Sequence, residues 1–281
     1  MTKQTHTIEL PNKVTVNLDT FIADKNLQSV IILILPAMGV KASYYAPLAK
    51  NLVSKGITAM SVDLRGLGTY SIRPSRKVDF GYLEMIEDLK TVVHFIKKNY
   101  PKQKIYGLGH SLGGQIAALA QAKYPDLLSG LILTAANSVY YKTWSGKQRY
   151  FNRIGYSIFP LLSRLLGYFP GHKVGFGGKA AKTQLLDWAH VGRTGKYKII
   201  GDNLDYEKAL KQVNIPVLAV YIEGDWMSPK AAIAHLYGKF SAASPITNYT
   251  LTKAETGVKL NHFNWVRNSD SIVEEVKKFI G

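Results

Sequence analysis

The sequence predicts an α/β protein built on a mostly parallel, doubly wound sheet, and three observations carry that reading. Apolar runs alternate with amphipathic helical stretches through residues 30–134 and again from 215 to 280. The run at 30–35, Val-Ile-Ile-Leu-Ile-Leu, is apolar without alternation, as a strand buried on both faces should be. Residues 105–114, Ile-Tyr-Gly-Leu-Gly-His-Ser-Leu-Gly-Gly, set a glycine-flanked serine between a strand-like and a helix-like run.

The elements follow in order. Residues 7–23 alternate apolar and polar through Ile8, Leu10, Val14, Val16 and Leu18, which predicts an antiparallel pair at a sheet edge. The buried strand 30–35 leads to a helix over 44–55, a strand over 57–62 and a long helix over 81–100. That helix carries Glu84, Glu87 and Asp88 early and Lys97 and Lys98 late, matching its macrodipole, and Pro101 follows it. Strands at 104–108 and 131–134 bracket a helix over 115–123. The rhythm stops near Asn137 and returns with a strand at 215–221, a helix at 229–239, a strand at 246–251 and a closing helix at 271–280.

Between them, residues 138–200 are rich in aromatic and basic side chains, from Tyr140, Tyr141 and Trp144 to Trp188, with a glycine-rich stretch at 169–178. No strand alternation is visible there, so helices and loops are expected, forming a lid over the C-terminal edge of the sheet. The expected division is a core of residues 1–137 and 201–281 with a lid or cap insertion at 138–200. Most of its aromatics should form the insertion's own small core, and some should face an apolar pocket.

Composition narrows the classes. The 281 residues suit one large domain with an insertion. Cysteine is absent, which excludes disulfides and thiolate metal sites and fits a reducing compartment. The longest apolar stretch, 30–38, is far short of the roughly 18 residues a membrane helix needs, and the N-terminus lacks the apolar core of a secretory signal. A soluble, cytoplasmic protein is expected. The 36 Lys and Arg against 19 Asp and Glu give a net charge of +17. They are spread along the chain with no run of five or six, and are read either as solubilising lysines or as an attraction for anions, including peripheral contact with anionic lipid. No nucleic-acid-binding signature occurs, so no nucleic-acid partner is expected.

The serine at the centre of Gly109-His110-Ser111-Leu112-Gly113 needs help to react. Its hydroxyl is a poor nucleophile at neutral pH and requires a base, and the base requires an orienting acid. A tight strand-to-helix reversal forces Ser111 into a strained backbone, relieved by the glycines two residues either side, and presents the Leu112 N–H at a helix start. In open α/β sheets catalytic groups sit at the C-terminal ends of strands. Asp225 lies just past the strand at 216–222, and His262 lies in a loop between the last strand and the last helix. Glu223 is the runner-up acid, two residues earlier. His94 and His235 fall within helices, His110 braces the turn, and His172 and His190 lie in the insertion with little expectation of touching substrate. Asp63, beside Arg65 and a glycine turn, is read as structural. No His-Glu-x-x-His or comparable cluster occurs, so no metal and no cofactor are called for.

With these residues in place, the chain resembles the α/β-hydrolase superfamily over nearly its whole length. The order Ser…Asp…His is that of the superfamily. The turns Val62-Asp63-Leu64-Arg65-Gly66-Leu67-Gly68 and Pro36-Ala37-Met38-Gly39 are similar to its usual strand-end turns. More narrowly, Leu35-Pro36-Ala37-Met38-Gly39, the 171–178 stretch with Phe176, and Asp187-Trp188-Ala189 resemble a bacterial group of predicted α/β-hydrolases. The resemblance implies a sheet of about eight strands with an inserted, mainly helical lid. It also implies a Ser111–His262–Asp225 triad and an oxyanion hole of the Leu112 and Met38 N–H groups. One departure stands out: Pro36-Ala37-Met38 replaces the His-Gly-x found after the first buried strand in many members. Only a backbone donor is needed there, so the donor's placement is what the change puts in question. The serine also sets the chain apart from the haloalkane dehalogenase and epoxide hydrolase branches, which use an aspartate at this position.

The activity this implies is hydrolysis of a small-molecule carboxylic ester carrying an apolar group, through an acyl-enzyme, with thioester or amide as subsidiary substrates. The alternative is a catalytically silent hydrolase fold binding an anionic partner or lipid surface. Acyl chain length and oligomeric state stay open.

Overall fold

The computed structural model describes residues 2–22 and 29–281. The opening pair forms as expected: β1 (Thr2–Leu10) and β2 (Val14–Ile22) run antiparallel with Ile8 opposite Val16, and Ala23 lies outside the described residues. Then follow β3 (Val30–Leu35), α1 (Ala46–Ser54), β4 (Thr58–Val62), α2 (Tyr82–Asn99), β5 (Lys104–His110), α3 (Leu112–Lys123) and β6 (Gly130–Thr134). The helix expected from 44 begins as a 3-10 turn over Ala42–Tyr45, with Pro47 in the first turn of α1, where a missing N–H costs nothing.

Residues 138–200 contain α4 (Gly146–Leu166) and α5 (Lys182–Thr194), and also a small antiparallel pair, β7 (Tyr168–Pro170) with β8 (Lys179–Ala181). That pair departs from the expectation of helices and loops alone. Each strand has three residues, too few for a period-two pattern to register in sequence. The chain continues with α6 (Tyr206–Leu210), β9 (Val217–Ile222), α7 (Lys230–Tyr237), β10 (Ile246–Leu251), α8 (Lys253–Thr256) and α9 (Asp270–Ile280). Among the described residues no helix is long and apolar enough to cross a membrane.

Eight strands form one sheet in the order β1-β2-β4-β3-β5-β6-β9-β10, parallel from β4 to β10. Every residue of β3 is buried, and successive side chains enter opposite layers. Ile31, Leu33 and Leu35 pack with α2 and α3, while Ile32 and Ile34 pack with α1 and α9. Strand order reverses at β3, which has β4 on one side and β5 on the other. The crevice above the C-terminal ends of β3 and β5 is therefore the natural ligand position.

Glycines let the layers close at that crevice. A Cβ on Gly113 would meet the Leu35 and Pro36 carbonyl oxygens at 2.3 and 2.6 Å, and one on Gly109 would meet the Gly114 Cα at 2.3 Å. The start of α3 is thus seated directly on the backbone leaving β3.

Candidate active site

Ser111 joins β5 to α3 with φ 53° and ψ −115°, a backbone region that residues with a side chain rarely adopt. Its N–H donates to the Thr134 carbonyl at 3.2 Å, and its own carbonyl accepts from Gly114 and Gln115 N–H, so the strained turn is held at both ends. Leu112 is the first residue of α3, whose opening N–H groups have no partner within the helix.

Across the crevice, Ala37 to Val40 form a turn closed by Val40 N–H donating to the Ala37 carbonyl at 3.1 Å, with Gly39 at φ 75°. This turn leaves the Met38 N–H out of its hydrogen bond. Gly39 is required twice: by its φ, and because a Cβ there would lie 2.5 Å from the Gly177 carbonyl carbon. The glycine-rich stretch around Gly177 therefore packs backbone to backbone on the turn, which explains glycines at both places.

His262 and Asp225 meet. His262 Nδ1 lies 2.7 Å from Asp225 Oδ2, and both side chains are buried. The other Asp225 oxygen accepts from the N–H groups of Met227 at 2.9 Å and Ser228 at 3.3 Å. Ser228 Oγ donates to the Ala135 carbonyl at 2.6 Å, pinning this loop to the end of β6. The His262 loop is locked as firmly: Trp265 Nε1 donates to the His262 carbonyl at 3.0 Å, and the Asn261 side chain accepts from Phe263 and Asn264 N–H. Tyr44 reaches over from the start of the α1 segment to donate to the Phe263 carbonyl at 2.9 Å.

With Nδ1 engaged by Asp225, Nε2 is the nitrogen His262 has left for chemistry. Ser111, Leu112, Met38 and His262 line one cavity of about 350 Å³. Residues 138–200 contribute Phe151, Tyr156, Phe159, Phe176 and Trp188; Gln115, Asn137, Gln148 and Asn152 add neutral polar groups. No Lys, Arg, Asp or Glu is among the lining residues.

The other candidates fall elsewhere. Glu223 is exposed and accepts from the Lys253 N–H at the start of α8. Asp63 accepts from the N–H groups of Ala42 at 2.7 Å and Thr69 at 2.8 Å, a structural use that joins two turns. His94 is exposed; His235 lies against Ser138 at 2.8 Å; neither His172 nor His190 lines the cavity. His110 is fully buried, with its Nδ1 2.6 Å from the Tyr45 hydroxyl and its ring 4.7 Å from that of His262. Burial first, and the neighbouring His262 second, push its pKa well below the ordinary value, so it stays neutral.

Sequence reasoning missed Tyr45, Ser228 and Asn137. Asn137 Nδ2 donates to the Met227 carbonyl and to Ser228 Oγ, and its place just beyond β6 at the sheet's C-terminal edge was a usable signal. Tyr45 carried none, because its partners come from β5 and the turn after β3.

Comparison with known proteins agrees with this architecture. Residues 28–248 match the family described as Serine aminopeptidase, S33. A monoglyceride lipase homolog of Monkeypox virus is 35% identical over 95 residues, covering 34% of each chain. The mouse (Mus musculus) serine hydrolase BPHL is 36% identical over 108 residues, 38% of this chain and 36% of that one. The matched region thus spans about a third of the length of these curated relatives. Among solved structures, Est1E from Butyrivibrio proteoclasticus with ferulic acid bound superposes with a TM-score of 0.67 at 16% identity, covering 98% of this chain and 99% of that one. Likeness at that identity speaks for an α/β-hydrolase fold.

Proposed function

The chain belongs to the serine aminopeptidase S33 family of α/β-hydrolases, and from that premise we propose that it is a serine hydrolase of carboxylic esters. The observation that carries the proposal is the 2.7 Å contact between His262 Nδ1 and Asp225 Oδ2 beside a cavity lined by both His262 and Ser111. His262 Nε2 takes the Ser111 proton as Oγ bonds to the acyl carbon, and Asp225 fixes the imidazole tautomer and stabilises the imidazolium. The Leu112 and Met38 N–H groups hold the oxyanion. As the carbon–oxygen bond to the leaving group breaks, that oxygen takes the proton from His262, leaving an acyl-enzyme. Water, deprotonated by His262, then releases the acid and restores Ser111. The chemistry calls for no cofactor.

The neutral, aromatic lining favours an uncharged substrate with an apolar acyl or alcohol group, which is compatible with the monoglyceride lipase name of one relative. Thioesters and amides are subsidiary substrates of the same machinery. Residues 138–200 act as a lid, supplying the aromatic wall opposite the serine. A series of p-nitrophenyl esters of increasing acyl length tests the proposal. Turnover that peaks at one length class and disappears in Ser111→Ala supports it; no turnover of any length by the folded chain counts against it.

A further inference from the structure

The outer face of α4 is apolar and bare. Tyr150, Phe151, Ile154, Ile158, Leu161 and Leu165 are each 47–69% exposed. At 3.6 residues per turn they fall within one arc of about 100°. A solvent-facing helix should be polar on that side, so six large apolar side chains in register are a surface awaiting a partner. The arc adjoins the site: Phe151 both lies on it and lines the cavity, and the exposed Trp226 and Phe263 continue the apolar rim around the cavity mouth.

Charge identifies the occupant. The positive excess is not evenly spread, as a reading of runs alone suggested. Residues 138–200 hold eleven of the 36 Lys and Arg but only one of the 19 acids, Asp187, and that one is buried. Helix α4 has no acidic residue, and Lys147, Arg153 and Arg164 on it are exposed. None of this charge lines the cavity, so it does not serve to bind substrate there. Two copies meeting through this face would set arginine against arginine. An apolar helical stripe flanked by exposed cations suits a surface that is apolar inside and anionic at its boundary.

We infer that the α4 face docks on anionic lipid surfaces, seating the cavity mouth at the headgroup boundary. The inference stands apart from the hydrolase reading, because binding can be measured without turnover. The Ser111→Ala chain is floated with vesicles of phosphatidylcholine alone and of an equimolar phosphatidylcholine–phosphatidylglycerol mixture. It should partition onto the anionic vesicles at least about tenfold more strongly, and less so as salt is raised. An Ile158→Asn, Leu165→Asn variant, altered outside the cavity, should lose about tenfold of that partition while keeping its thermal midpoint. Equal binding to both vesicles, no binding, or an unaltered variant would overturn the inference. So would a stable wild-type dimer that the same two substitutions dissociate, since the face would then be a protein interface.

Discussion

The Tyr45 hydroxyl joins the two halves of the site: it lies 2.6 Å from His110 Nδ1 and accepts the Ala37 N–H at 3.0 Å. His110 immediately precedes Ser111, and Ala37 immediately precedes Met38. One buried phenol therefore sets the spacing between the serine turn and the second proposed oxyanion donor. Burial holds its pKa far above the ordinary tyrosine value, so it remains a neutral donor at any working pH.

Replacing Tyr45 with Phe leaves the ring volume and removes the bridge. The unpartnered N–H and imidazole nitrogen should cost about 1–3 kcal/mol of stability. In steady-state hydrolysis of a short ester, kcat should fall roughly tenfold with KM nearly unchanged, because the displaced donor acts on the oxyanion rather than on bound substrate. An equal rise in KM with kcat preserved would show that Tyr45 does not position the oxyanion hole.

Asp225→Asn keeps the shape of the loop but offers an amide to His262 Nδ1, favouring the wrong tautomer. A drop in kcat of about 10⁴ is expected, with little change in KM. Glu223→Gln, on an exposed side chain engaged with the start of α8, should leave kcat within about twofold of wild type. The reverse pattern in the two variants would assign the acid to Glu223.

Gly113→Ala places a Cβ about 2.3 Å from the Leu35 carbonyl oxygen, a backbone atom that cannot rotate away. Overpacking of this kind costs about 1–3 kcal/mol or more, so the thermal midpoint should fall clearly. Gly175→Ala is the contrast: φ is positive there too, but nothing lies within 4 Å, so only the smaller backbone penalty applies.

Stability should depend on pH through Asp187, which reaches from α5 to accept the Tyr82 N–H at 2.9 Å and the Ile200 N–H at 3.0 Å. Burial, the dominant influence, pushes its carboxyl up to about 7 against the pull of those two donors. In the unfolded chain it titrates near ~3.9. The folded chain thus holds the extra proton between those values, and this group makes stability fall as pH rises from about 4 to about 7. Urea midpoints across that range should show the decline in wild type and a flatter profile in Asp187→Asn. Parallel profiles would contradict the assignment.

The fold was legible because its signals are local. The unbroken apolar run of β3, the charge order along α2 and the glycines around Ser111 each act over fewer than about twenty residues, and each states its own element. The His262–Asp225 contact was legible for a different reason: both residues follow strands whose C-terminal ends share one edge, so topology brings them together. The hairpin of β7 and β8 was not legible, since three-residue strands carry no period. Nor was the Tyr45 bridge, which exists only once β3, α1 and β5 are packed. The clustering of cations in residues 138–200 was countable in sequence, but its meaning came from the bare apolar face of α4 beside it.

Ser111 is proposed as a nucleophile activated by His262 and Asp225. Reaction with a fluorophosphonate, read by mass spectrometry of the peptide containing residue 111, tests it most directly. Wild type should gain one adduct on Ser111, and labelling should be abolished in Ser111→Ala and strongly slowed in His262→Ala and Asp225→Asn. A folded wild-type chain that stays unlabelled, or that carries the adduct on another residue, would contradict the claim.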